Sequence, residues 1–209
     1  NGIFTSLSMR QEEQPFGSQE DRDDEPLGFL ERVYQAGFEL GFASVGWKWT
    51  RGQNSQVLST MIADPSTHKI VLVRRNRIKT FVSERIAQQT QQWEAYDANR
   101  LVTPPKVHIR LGELEQHIQQ NEDFYHQLES ALTRHGQHYL RLAYESLCDR
   151  ATHRQLLEFL QVGDPKTPLA ATSVKQNTTD LRQAIDNYDE LLDQLATSSL
   201  SAELIDLHN

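Results

Sequence analysis

Cysteine is almost absent from this chain. Cys148 stands alone, which excludes an internal disulfide and any zinc site built from several thiolates; its expected role is that of a packed helix residue. No apolar run approaches the roughly 18 residues of a membrane span, and the opening residues do not read as a secretory leader. Positive charge is in deficit: 21 Lys and Arg against 29 Asp and Glu give a net charge of −8. A general coat for DNA or RNA works by neutralising many phosphates, so no nucleic-acid partner is expected. A Gly-x-x-x-x-Gly-Lys-Ser/Thr loop does not occur, which argues against a phosphotransferase of the common P-loop kind. The 8 histidines fall at no ligand spacing, since Gly136 separates His135 from His138, and no metal is expected. The chain opens on Asn1 rather than Met, so a processed product or a piece of a longer chain is expected.

What is present suits an α/β domain. A chain of 209 residues can bury one sizeable core, and a single domain over residues 1–209 is expected. Residues 11–25 are acidic and nearly free of aliphatic side chains, so the reading for 1–26 is a mobile polar segment. Pro26 then opens a helix carrying Leu27, Leu30, Val33, Tyr34 and Phe38. "FASVGWKW" (42–49) predicts a strand, and Val57 to Ile62 a short helix. Ile70 to Val73 reads as a central strand buried on both faces, as in parallel sheets. Ile78, Phe81, Val82 and Ile86 form the stripe of a helix that is expected to run on through "QQTQQWEAY" towards "TPPK". A long amphipathic helix from Leu111 to Leu132 ends at Gly136. "HYLRLAYE" (138–145) predicts another strand, followed by a helix from Ser146 to Gln161. Thr179 is the expected cap of a last helix through Leu195. Strands alternating with helices predict a three-layer fold with a central, mainly parallel sheet.

In this acidic chain, Arg74, Arg75, Arg77 and Lys79 gather where the Ile70–Val73 strand meets the next helix. Ligands of parallel α/β sheets collect beyond the carboxyl ends of strands, where helix N-termini carry partial positive charge. Counted along a helix, Arg75, Lys79 and Ser83 follow an i, i+4, i+8 stripe. A guanidinium, an ammonium and a hydroxyl on one stripe make a candidate phosphate cradle. Arg74 and Arg77 are expected to point elsewhere, as surface or ion-pair residues.

"RRNRIKTFVS" (74–83) resembles the 3′-phosphate motif of sulfotransferases that use 3′-phosphoadenosine 5′-phosphosulfate (PAPS), in which an Arg-Asn pair closes a strand and a Ser follows eight positions after the Arg. Arg75, Asn76 and Ser83 match it. "VGWKW" resembles the family's Val-Gly-Phe-Lys strand, with Trp47 in place of Phe. "YLRLAYESL" resembles the strand ending in Tyr-Glu-Asp-Leu, with Ser146 in place of Asp. "LLEFLQV" resembles the Leu-Asp-Phe-Leu-Gly-Val helix, and "SVKQNTTDLRQAIDNYDEL" the C-terminal segment of the bacterial branch related to nodulation and trehalose sulfotransferases. These blocks lie in order over about residues 42–195.

The resemblance implies a P-loop-like fold and transfer of a sulfuryl group from PAPS, without metal, to a hydroxyl or amine. The implied acceptor is a carbohydrate, a lipid-linked sugar or a small natural product. It implies that Arg75 and Ser83 hold the 3′-phosphate and that Lys175 and Gln176 close over the nucleotide; Lys79 joins them from the stripe argument. The family begins with a strand and a Gly/Ser/Thr-rich loop around the 5′-phosphosulfate, and residues 1–60 contain no such loop. Gly2 stands where some relatives carry a catalytic Glu, so no catalytic base is assigned. Two readings follow: a sulfotransferase lacking its first βα unit, or a degenerate fold serving as a non-catalytic nucleotide- or partner-binding module. A cytoplasmic location is expected, a homo-oligomer is allowed, and the oligomeric state is left open.

Overall fold

A computed structural model describes residues 16–164, 166, 169, 170, 174, 176 and 180–207. In chain order the helices and strands are α1 (Gln19–Asp24), α2 (Pro26–Glu39), α3 (Ser55–Ala63), β1 (Lys69–Val73), α4 (Arg77–Thr90), α5 (Leu111–Arg134), β2 (Tyr139–Ala143), α6 (Arg150–Leu160), α7 (Leu181–Ala184), α8 (Tyr188–Ala196) and α9 (Leu204–Leu207). β1 and β2 pair as a small parallel sheet, so the fold class is α/β. None of the helices among the described residues is long and apolar enough to cross a membrane. The described residues gather into two compact units, the first drawn from 1–70, 129–140 and 154–167 and the second from 71–128, 141–153 and 168–209.

In the first unit, local capping makes structure where composition predicted none. The Ser18 hydroxyl accepts from the Asp21 N–H at 3.1 Å, and the Asp21 carboxylate accepts from the Ser18 N–H at 2.7 Å. This reciprocal box starts α1 inside the stretch expected to be mobile, because it satisfies helix-end donors that would otherwise need water; residues 1–15 lie outside the described ones. Pro26 takes the first position of α2 as expected, and Phe29, Leu30, Val33 and Ala36 form its buried face. The predicted strand at 42–49 is not one. It has no ladder partner, and it is held by side chains instead: Trp47 packs edge-on to Tyr34 with centroids 5.1 Å apart. Gly37 is where this stretch approaches α2 most closely, since a Cβ there would lie 2.3 Å from Val45 Cγ2.

The second unit holds the main apolar cluster. Ile78, Phe81, Val82 and Ile86 of α4 meet Leu114 and Ile118 of α5 and Leu191 and Leu195 of α8, as the 3.6-residue periodicity predicts. α4 ends earlier than predicted, at Thr90, because Gln91 adopts a left-handed conformation (φ 56°). The expected continuous helix to Leu195 is broken at Ile185, which is extended (φ −110°, ψ 130°) and pairs in parallel with Val107. Asp180, not Thr179, caps the first piece; Thr179 lies outside the described residues. Non-local pairing has overridden helical periodicity here. The Asn187 carboxamide continues the pairing, accepting from the Ile109 N–H at 3.0 Å and donating to its carbonyl at 2.9 Å. The notion of a strand buried on both faces also needs correction. In β1 only Val71 is buried, while Ile70 and Leu72 are 40% and 41% exposed; a sheet of two strands leaves alternate side chains uncovered. Cys148 is exposed in a turn before α6, not packed in a helix.

Asn187→Ala removes two hydrogen bonds from the buried Ile109 backbone. Each bond of this kind contributes about 1 kcal/mol and more when its partner is stranded, so urea unfolding should show a loss of ~2–3 kcal/mol. A loss below about 0.5 kcal/mol, within the range of a neutral surface change, would show that the pairing does not hold the second unit together.

Candidate anion site at the end of the first strand

β1 and β2 run side by side, so the residues that leave their carboxyl ends are neighbours. Asn76 caps α4. Its Oδ1 accepts from the Lys79 N–H at 2.7 Å, and its Nδ2 donates to the Asp206 carbonyl at 2.7 Å; only 7% of the residue is exposed. From the turn after β2, Glu145 offers one carboxylate oxygen to two successive backbone donors, the N–H groups of Arg75 (2.9 Å) and Asn76 (3.2 Å). The Asp206 carboxylate accepts from the Arg77 N–H at 3.3 Å. Successive N–H groups ahead of a helix form a concave anion trap. Here the chain's own acids fill it.

This closure decides where the side chains go. Because the helix starts at Arg77, Arg75 precedes the cap, and the i, i+4, i+8 stripe loses its first member; Lys79 and Ser83 alone keep helical spacing. Arg75 is exposed. The guanidinium that reaches Ser83 is that of Arg74, whose Nη1 donates to Ser83 Oγ at 3.3 Å. It also lies over the Tyr144 ring, its central carbon 4.9 Å from the centroid, a cation–π arrangement. Arg74 therefore departs from the expected outward orientation. Arg77 keeps its expected ion-pair role: its Nε donates to Glu203 at 3.0 Å, and its Nη atoms meet Glu203 and Glu122. Lys79 is half-buried and has partners of its own.

Of the remaining predicted residues, Lys175 lies outside the described ones. Gln176 is engaged elsewhere. With its carboxamide oriented to suit its surroundings, it donates to the Gln92 carbonyl at 3.0 Å and accepts from the N–H groups of Glu94 (3.2 Å) and Ala95 (2.9 Å). It pins the loop after α4 and is not brought to Ser83. Among the described residues no carboxylate pairs with the side chain of Arg74 or Arg75, and no group of His, Cys, Asp or Glu is arranged to hold a metal ion. The Arg74 guanidinium and the Ser83 hydroxyl thus meet beside the strand end, and Arg75 follows Arg74 in the chain with an exposed side chain. Each guanidinium carries five donors, which suits a dianionic phosphate. Sequence reading missed Arg74, Tyr144 and Glu145 as a set; the signal was the position of "YES" directly after β2, beside "RRN" after β1.

Comparison of the chain with protein-family models, with curated proteins and with solved structures gives no match. The residues themselves carry the functional argument.

Asp206 is the group whose ionisation this site disfavours. Burial raises its pKa above the usual carboxylate value, the Arg77 N–H works against that, and the nearby Glu203 and Glu145 charges raise it further. A carboxyl with a raised folded-state pKa contributes stability below its unfolded value of about 3.9, and that contribution is lost as pH rises through the folded value. Asp206→Asn retains an acceptor for the Arg77 N–H and removes the charge. It should raise Tm at pH 7, with the gain shrinking as pH is lowered into the carboxylate range; a lower Tm at pH 7 would contradict this electrostatic account.

Proposed function

We propose that this chain is a sulfotransferase-type domain that moves a sulfuryl group from PAPS to a hydroxyl or amine of a carbohydrate, lipid-linked sugar or small natural product. The observation that carries the reading is the pair of arginines at the end of β1. In a chain of net charge −8, Arg74 converges on Ser83 and Arg75 is exposed beside it, neither side chain paired with a described carboxylate. Such a set fits the ribose 3′-phosphate of PAPS, and the resemblance of "RRNRIKTFVS" to the family's motif gives that phosphate its identity. A P-loop-like arrangement and a cytoplasmic setting belong to the same proposal.

In the transfer, the bond from sulfur to the bridging oxygen of the 5′-phosphate breaks as a bond from sulfur to the acceptor oxygen or nitrogen forms. The acceptor's proton passes to a base, and the leaving group is 3′,5′-adenosine bisphosphate. The part assigned to this chain's residues is orientation: Arg74, Arg75 and Ser83 hold the nucleotide by a phosphate that does not react, so binding energy far from sulfur fixes the reacting group in place. Lys79, Lys175 and Gln176 remain proposed nucleotide-side residues by resemblance and spacing.

A non-catalytic module is the second reading, and Glu145 favours it. An internal carboxylate already takes the two N–H groups that an external anion would otherwise use.

Thermal unfolding with 3′,5′-adenosine bisphosphate and, separately, with ATP distinguishes the readings. At 100 times its dissociation constant the bisphosphate should add about 2.7 kcal/mol of stability. The effect should vanish in Arg75→Ala, fall strongly in Arg74→Ala and fall by roughly tenfold in affinity in Ser83→Ala, as for loss of one charge-assisted bond. Stabilisation by ATP alone would overturn the sulfotransferase reading, and no response to either nucleotide would overturn nucleotide binding altogether. Bisphosphate binding without sulfuryl transfer to any acceptor by the full chain would support the non-catalytic module.

A further inference from the structure

Two consecutive residues at the end of β2 brace two consecutive segments at the end of β1. Tyr144 lies under the Arg74 guanidinium at 4.9 Å. Glu145 holds the N–H groups of Arg75 and Asn76 through a single oxygen at 2.9 and 3.2 Å. This turn also carries the Asn76 cap, with its bond to the Asp206 carbonyl, the Arg77 N–H on Asp206 and the Arg74 Nη1 bond to Ser83 Oγ.

We infer that Glu145 is a positioning residue: by fixing the backbone of Arg75 and Asn76 it sets the direction in which the Arg74 and Arg75 side chains meet a phosphate. The inference rests on the reading of this turn as a phosphate site. Its chemistry follows from what each group can still offer. With both N–H groups committed to Glu145, an incoming phosphate is met by side-chain donors, and those donors hang from a backbone that Glu145 keeps in one conformation. Without the carboxylate, the two N–H groups need water or another acceptor, and the turn gains alternative conformations before the cap. Two long arginine side chains on a mobile turn then lose affinity, because ordering them falls on the ligand. Fixing the acceptor matters more here than its charge, since either a carboxylate or a carboxamide oxygen can accept both bonds.

Three proteins are compared, wild type, Glu145→Gln and Glu145→Ala, each as the full chain. Two quantities are measured: the dissociation constant of 3′,5′-adenosine bisphosphate, and amide exchange at Arg75 and Asn76 without ligand. The expected result is wild-type-like affinity and exchange in Glu145→Gln. Glu145→Ala should show affinity weakened roughly tenfold or more and faster exchange at those two amides. Unchanged affinity in Glu145→Ala would overturn the inference, even if that variant were less stable, because a merely structural role changes stability alone. Equal weakening in both variants would also overturn it, by showing that charge and not geometry is at work. If wild type fails to bind the bisphosphate, the nucleotide reading itself fails, and exchange then shows whether Glu145 holds the turn: unaltered exchange in Glu145→Ala would remove the brace as well.

Discussion

A single Glu145 oxygen accepts the N–H groups of Arg75 and Asn76, the Asn76 side chain caps α4, and the Asp206 carboxylate takes the Arg77 N–H. These contacts satisfy donors that a helix leaves open at its start and place acidic groups at its positive end. They also tie together stretches far apart in sequence: the ends of β1 and β2, and the C-terminal α9. The concentration of acid has an electrostatic consequence. Asp206 is partly buried near Glu203 and Glu145, and that burial, with the two like charges, disfavours its ionisation, while the Arg77 N–H favours it. Arg77 answers Glu203 and Glu122. Arg74 and Arg75 remain, with side chains that no described carboxylate engages.

Internal acids satisfy the backbone, and among the described residues no carboxylate pairs with the side chains of the arginines beside them; on the proposed function those side chains meet an anion from outside. A phosphate site organised this way would discriminate by the fork geometry of guanidinium and by where each fork is anchored, not by the generic pull of a helix end. On the proposed function, Arg74, Arg75 and Ser83 would grip the nucleotide by its 3′-phosphate, at a distance from the reacting sulfur.

Much of this was legible in the sequence, for identifiable reasons. Ile78, Phe81, Val82 and Ile86 repeat at helical spacing and are buried in α4; "KIVLV" and "YLRLA" are β-rich and form β1 and β2. Local signals of this kind survive because packing agrees with them. What was not legible depends on partners far away in the chain. The extended break at Ile185 needs Val107 opposite it. The stretch 42–49 has strand-like composition and no strand beside it. In the site, the stripe drew Arg75 towards Ser83, and the structure brings Arg74 there. Spacing counted Arg75 as helical, whereas Asn76 caps the helix one residue later and turns the Ser83 contact over to Arg74.

On the proposed function, an external phosphate is held by the Arg74 and Arg75 side chains while the backbone stays with Glu145. Nuclear magnetic resonance of the arginine Nε–H groups during titration with 3′,5′-adenosine bisphosphate tests it most directly. The expected result is saturable shifts of both arginine side-chain signals, with the Arg75 and Asn76 amides as protected from exchange in the complex as in the free protein. Side-chain signals that do not move, or amides that lose their protection when ligand binds, would contradict it.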